Sequence, residues 1–128
     1  MISLTSPFIS PTSSRTLNSA SWADWVHGTA LATTPRENLK IVACHHPLGG
    51  GGIRHRTRGG VTALTALAAA GAGAVLSGHT HEPFDHLVDG VRLIGAGTLS
   101  ERVRQSPPSF NVLTVDAGVL AVAARMME

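Results

Sequence analysis

The chain has 128 residues, 43% of them hydrophobic and 14% charged, a composition that buries the core of one ordinary domain and excludes a disordered chain. A formal net charge of +2, with no basic helix and no aromatic-interleaved basic stripe, carries no nucleic-acid-binding signature. No run approaches the roughly 18 apolar residues of a membrane span and residues 1–15 lack a signal-peptide pattern. The single cysteine, Cys44, has no internal disulfide partner, so a cytoplasmic protein in a reducing compartment is expected.

In chain order, residues 2–4 read as a short strand, followed by a Pro/Ser/Thr-rich loop to about residue 19. Ser21 and Asp24 resemble a capping box with Asp in place of the usual Glu. Trp22, Trp25, Val26 and Leu31 fall near helical spacing, which predicts a helix over residues 20–33, stopped by Pro35, with the tryptophans as packing anchors. Residues 39–44 form an apolar run with β-branched members, predicting a strand of a parallel sheet buried on both faces. The glycines at 49–52 and 59–60 bracket a loop that lacks the Gly-Lys-Ser/Thr ending of a phosphate-cradling loop. Residues 61–70 are rich in helix formers, with Gly71 as a stop, and residues 74–77 supply the next strand. A β-loop-α-β unit results, and its crossover should be right-handed. Beyond it the pattern turns antiparallel. Residues 84–88 and 91–96 flank the hairpin signal Asp89-Gly90, and residues 110–115 and 119–124 flank a three-residue turn at 116–118. The fold class is α/β, a βαβ unit followed by antiparallel hairpins, with no internal repeat.

Both chemically informative clusters stand at strand ends. His45-His46-Pro47 follows the first strand of the unit and Gly78-His79-Thr80-His81 follows the second, and open α/β sheets gather ligands beyond the carboxyl ends of their strands. Neutral imidazole ligates zinc, iron, manganese and nickel, and its second nitrogen remains free to be oriented by another acceptor. His79 and His81 are two apart, so on extended chain their side chains leave the same face, and Gly78 lets the backbone crowd an ion or phosphate. His27, His55 and His86 read as surface residues, and Cys44 as a core filler without an activating base. Arg54, Arg56 and Arg58 share one loop, and Arg102 and Arg104 another. They read either as solvated and ion-paired loop cations or as guanidinium forks guiding an anionic substrate.

Residues 43–48, Ala-Cys-His-His-Pro-Leu, and residues 76–81, Leu-Ser-Gly-His-Thr-His, resemble in order and separation the last two signature motifs of the calcineurin-like metallophosphoesterases. Residues 95–98, Gly-Ala-Gly-Thr, and 109–112, Ser-Phe-Asn-Val, resemble the C-terminal part of some bacterial members. The resemblance implies an αββα sandwich and a metal-dependent hydrolase of phosphomonoesters or phosphodiesters with two divalent ions, Mn, Fe or Zn. It implies that His45 and His79 share one ion, that His81 holds the other, and that His46 acts on the substrate phosphate or behind a ligand. A structural, hydrogen-bonded role for His46 remains the alternative.

The same resemblance implies three earlier motifs, Asp-x-His, Gly-Asp-x-x-Asp and Gly-Asn-His followed by an acidic residue. None occurs in this sequence, so residues 1–128 are expected to form a single partial domain, the second half of the family's, with residues 2–6 as the strand that follows the first half. A two-metal hydrolase needs a bridging carboxylate to hold cations roughly 3.5–4 Å apart. Three imidazoles supply no such bridge, which predicts weak metal binding and impaired turnover. Half of a sandwich also exposes sheet edges and apolar faces, which predicts self-association. Two rival readings are a non-catalytic, degenerate module and a metal-dependent cupin. The cupin reading takes its motif from Gly73 and the His79-x-His81 pair, but lacks the acidic residue expected after them.

Overall fold

The computed structural model describes residues 30–49, 57–101 and 105–127. A short helix α1 (Ala30–Thr33) precedes strand β1 (Ile41–Cys44), helix α2 (Gly60–Ala69) and strand β2 (Ala74–Ser77). The hairpins β3 (Phe84–Val88) with β4 (Val91–Gly95), and β5 (Ser109–Asp116) with β6 (Val119–Met126), complete the order. The expected strand at 2–4, the capping box and the tryptophans of the first helix lie outside the described residues. Within that expected helix only α1 is described, and it ends two residues before Pro35.

The first four strands form one sheet in the order β1-β2-β4-β3, with β1, β2 and β4 parallel and β3 antiparallel at the edge. Register places Val42, Val75 and Leu93 side by side across three strands, and all three are buried. Helix α2 lays Ala63, Leu64 and Leu67 into the same apolar cluster, which completes the expected βαβ unit. Leu67 is fully buried, so it carries a large share of the helix-to-sheet packing.

The C-terminus of α2 is built as a Schellman motif. Gly71 adopts φ +80°, its N–H donates to the Ala68 carbonyl at 3.0 Å, and the Ala72 N–H donates to Leu67 at 2.9 Å. A non-glycine residue at that φ would be strained, which is why the helix stops where the sequence predicts. Lys40 adds to the cap: its buried side chain donates from Nζ to the Ala70 carbonyl at 3.0 Å, placing a cation on the negative end of the helix.

Strand β1 departs from expectation. It is an edge strand of the described sheet, and its alternate residues Ile41 and Ala43 are exposed while Val42 is buried, so it is covered on one face rather than two. Among the described residues the β5–β6 hairpin is tied to the sheet at β4 and the segment that follows it. There the Arg92 guanidinium donates to the Leu120 carbonyl of β6, the Asn111 amide of β5 donates to the Gly95 carbonyl at 2.9 Å, and the Ser109 N–H donates to Thr98 at 2.8 Å. A helix-covered sheet facing a second small sheet is the α/β, partial-sandwich architecture expected. The long hairpin leaves Phe110, Val112, Leu113, Val115 and Val119 exposed.

The two hairpin turns differ in chemistry. Asp89 and Gly90, at φ +50° and +79°, make the two-residue turn that their sequence predicts. In the second hairpin Asp116 pairs with Val119, so the loop is Ala117-Gly118 rather than three residues. Ala117 is thereby forced to φ +47°. An alanine in the left-handed region costs roughly 1–2 kcal/mol, because Cβ crowds the following carbonyl.

Asp85 on β3 and Arg92 on β4 form a two-pronged ion pair on the second face, with oxygen–nitrogen distances of 2.8 and 2.6 Å. The hydrogen bonds from Arg92, then its charge, hold the Asp85 carboxyl below its ordinary range despite slight burial. A carboxylate depressed on folding stabilises above its unfolded pKa of about 4 and loses that contribution as pH falls through its folded value. Asp85→Asn should therefore lower the melting temperature at pH 7, and the gap from the parent should close below about pH 4. Ala117→Gly should raise stability by about 0.5–1 kcal/mol in chemical denaturation, as relief of left-handed strain outweighs the entropy of glycine.

Candidate metal centre

Parallel pairing sets the site. The last residues of β1 and β2, Cys44 and Ser77, are register partners, and the ladder continues one step as the Gly78 N–H donates to the His45 carbonyl at 3.1 Å. Gly95 at the end of β4 pairs with Ser77, and the Ala96 N–H donates to the Ser77 carbonyl at 2.8 Å. Three chain segments therefore leave the sheet side by side at its carboxyl edge. Gly95 admits the Phe84 ring across the β3–β4 pair, since a Cβ there would lie 2.1 Å from a ring carbon.

Successive side chains on a strand point to opposite faces, yet the rings of His45 and His46 lie with centroids 4.7 Å apart. The chain bends immediately after Cys44, which cancels the alternation. Pro47, fully buried, anchors this bend, and its carbonyl accepts the Thr57 hydroxyl at 2.6 Å.

A second bend presents His79. The Thr80 N–H donates to the Gly78 carbonyl at 2.8 Å across His79, which sits at φ +66°. That is the rare, strained form of the three-residue γ-turn. Buried Thr80 pins the segment, its hydroxyl donating to the Glu82 carbonyl at 3.1 Å. His81 is also left-handed, at φ +62°. The expectation that His79 and His81 leave one face of an extended chain thus fails in its premise, because β2 ends at Ser77 and residues 79–82 are bends.

The bends bring three exposed imidazoles together. His45, His46 and His79 each offer a ring nitrogen, all within 4.8 Å of one another, and His81 is outside this group. Nε2 of His45 and Nδ1 of His79 are 3.3 Å apart. Two nitrogens each 2.0–2.1 Å from one tetrahedral ion stand about 3.3–3.4 Å apart, so this pair already has the spacing of two ligands on one cation. The donor set fits a divalent metal of borderline softness, being all imidazole. Among the described residues no carboxylate joins the group.

Cys44 does not extend the set. Burial pushes its thiol up to about 11, and Sγ lies 3.2 Å from the His46 carbonyl oxygen as a donor, so near neutral pH it is a protonated thiol. Of the arginines read either as solvated loop cations or as guides for an anionic substrate, Arg58 is exposed in the turn before α2, while Arg54, Arg56, Arg102 and Arg104 lie outside the described residues, as do His27 and His55. His86 is exposed on β3, stacked on Phe84 at 5.5 Å. The run from Gly73 to His81 passes through a parallel strand of a helix-covered sheet, where a cupin requires a β-barrel.

Sequence comparison adds a family. The profile of the calcineurin-like phosphoesterase superfamily domain matches residues 18–118. Among solved structures the chain is similar to the Thermotoga maritima protein TM1076, determined in solution by NMR, with 27% identity and a TM-score of 0.44 over 70% of this chain and 48% of that one. The chain thus spans about half the length of that protein. No curated protein matches it.

The γ-turn at His79 makes a testable separation of stability from ligation. His79→Gly, measured by denaturant unfolding with a chelator present, should stabilise the chain by about 0.5–1 kcal/mol through release of the positive-φ strain. The same substitution should weaken binding of zinc in calorimetric titration, since it removes one of the two closely spaced nitrogens.

Proposed function

The chain belongs to the calcineurin-like phosphoesterase superfamily, and from that premise we propose that its imidazole cluster is the histidine half of a phosphoester-hydrolysing metal site. The family is metal-dependent, and the histidine cluster is of a kind that holds a divalent ion. The observation that carries the reading is the 3.3 Å between the ring nitrogens of His45 and His79, which matches two ligands of one ion. In this reading His45 and His79 hold that ion, His81 belongs to a neighbouring ion, and His46 approaches the phosphate. A bound divalent ion supplies Lewis-acid polarisation of a phosphoryl oxygen.

The chain's own residues do the positioning. The shared register of β1 and β2 fixes the two histidine segments to one rigid edge, and the buried Pro47 and Thr80 hold the bends that aim the rings. The three imidazoles are exposed, which leaves them open to a phosphate ester as substrate. Residues 1–128 act as a single partial domain in this reading, and the lack of a carboxylate in the described group limits how tightly ions bind and how fast they turn over substrate. That same lack favours one second reading, a non-catalytic module that retains the fold of an enzyme. The exposed apolar residues of the β5–β6 hairpin support self-association, since among the described residues no third strand joins this two-stranded sheet.

Hydrolysis of a chromogenic phosphodiester and phosphomonoester should be slow, should require added Mn2+, Co2+ or Zn2+, and should vanish with chelator or with His45→Ala. A chain that binds these ions and shows no metal-dependent hydrolysis above buffer is the non-catalytic module.

A further inference from the structure

We propose that His46 is itself a metal ligand, so that His45, His46 and His79 form a one-ion, three-nitrogen site selective for copper, nickel and zinc over manganese and magnesium. This rests on the reading that the cluster holds a divalent metal and departs from the division of ligands described above, which leaves His46 off the metal.

Three observations carry it. The ring of His46 is nearer to His79, at 4.1 Å between centroids, than the ring of His45 is, at 5.2 Å. The ring nitrogens of all three lie within 4.8 Å of one another, so an ion held between His45 and His79 has a His46 nitrogen within that distance of both ligand atoms. The bend after Cys44 is what makes this possible, because two consecutive residues of a regular strand cannot address one ion from the same side. All three rings are exposed, so side-chain rotation can draw the nitrogens from within 4.8 Å toward the roughly 3.3–3.4 Å of a tetrahedral set.

Selectivity follows from the donor set. Magnesium and manganese favour carboxylate, carbonyl and water oxygens, whereas imidazole suits later first-row ions, whose affinities rise toward copper. Among the described residues no carboxylate joins the group to shift that preference. Three neutral nitrogens also leave the charge of the ion uncompensated and a coordination position open, the arrangement that attracts an anionic fourth ligand such as phosphate.

The test is metal titration of the full chain, read by calorimetry and, for Cu2+, by electron paramagnetic resonance. One Cu2+ or Zn2+ per chain is expected, with Mn2+ far weaker and nitrogen hyperfine structure from three imidazoles. His46→Ala should reduce Zn2+ affinity at least about tenfold, the low end of what losing a group behind a ligand already costs, and should leave two coupled nitrogens. His81→Ala should change neither. The His46 ring is exposed, so circular dichroism of His46→Ala should match the parent and separate ligand loss from unfolding. Unchanged Zn2+ affinity and an unchanged nitrogen count in His46→Ala would overturn this inference while leaving the His45–His79 site in place. Absence of any binding by the parent would overturn both.

Discussion

The parallel pairing of β1 with β2 is the constraint on which the rest depends. Because Cys44 and Ser77 are register partners, the residues that follow them leave the sheet together, and a shift by one position would move one histidine segment along the edge away from the other. The pairing is itself held by packing. Val42, Val75 and Leu93 form one buried row under α2, and sliding either strand would push that row into solvent. The core and the site are therefore two consequences of one register.

Strain is concentrated where the chemistry is. His79 and His81 are two of the four non-glycine residues at positive φ among the described residues, and the others, Asp89 and Ala117, make hairpin turns. In a turn, the positive φ reverses the chain with the twist that the strands need. At His79 it closes a γ-turn. It rotates an imidazole toward two others, and the buried Thr80 and the ladder bond from Gly78 to His45 supply the restraint that holds it there.

The second face of the sheet has a different character. The β5–β6 hairpin is tied to β4 by polar contacts, from Arg92 to Leu120 and from Asn111 to Gly95, while much of its apolar surface stays exposed. Such contacts fix orientation more than they supply stability. The helix-covered face, by contrast, is an apolar cluster buried around Leu67.

Sequence alone determined what local chemistry dictates. Asp89-Gly90 specifies its turn because few other residues accept two successive positive φ values, Gly71 stops its helix for the same reason, and the apolar runs around Val42 and Val75 mark the strands whose ends carry the two histidine motifs. The family was legible from those motifs, and residues 18–118 match its profile. Tertiary structure decided what depends on neighbours. The burial of only one face of β1 follows from α2 packing against that face alone, the two-residue loop at Ala117 from the Asp116–Val119 pairing, and the grouping of His46 with His45 and His79 from bends that no spacing rule reports. Side-chain direction outside regular structure is set by φ and ψ, and here those are imposed by buried anchors and ladder bonds between segments more than thirty residues apart in the chain.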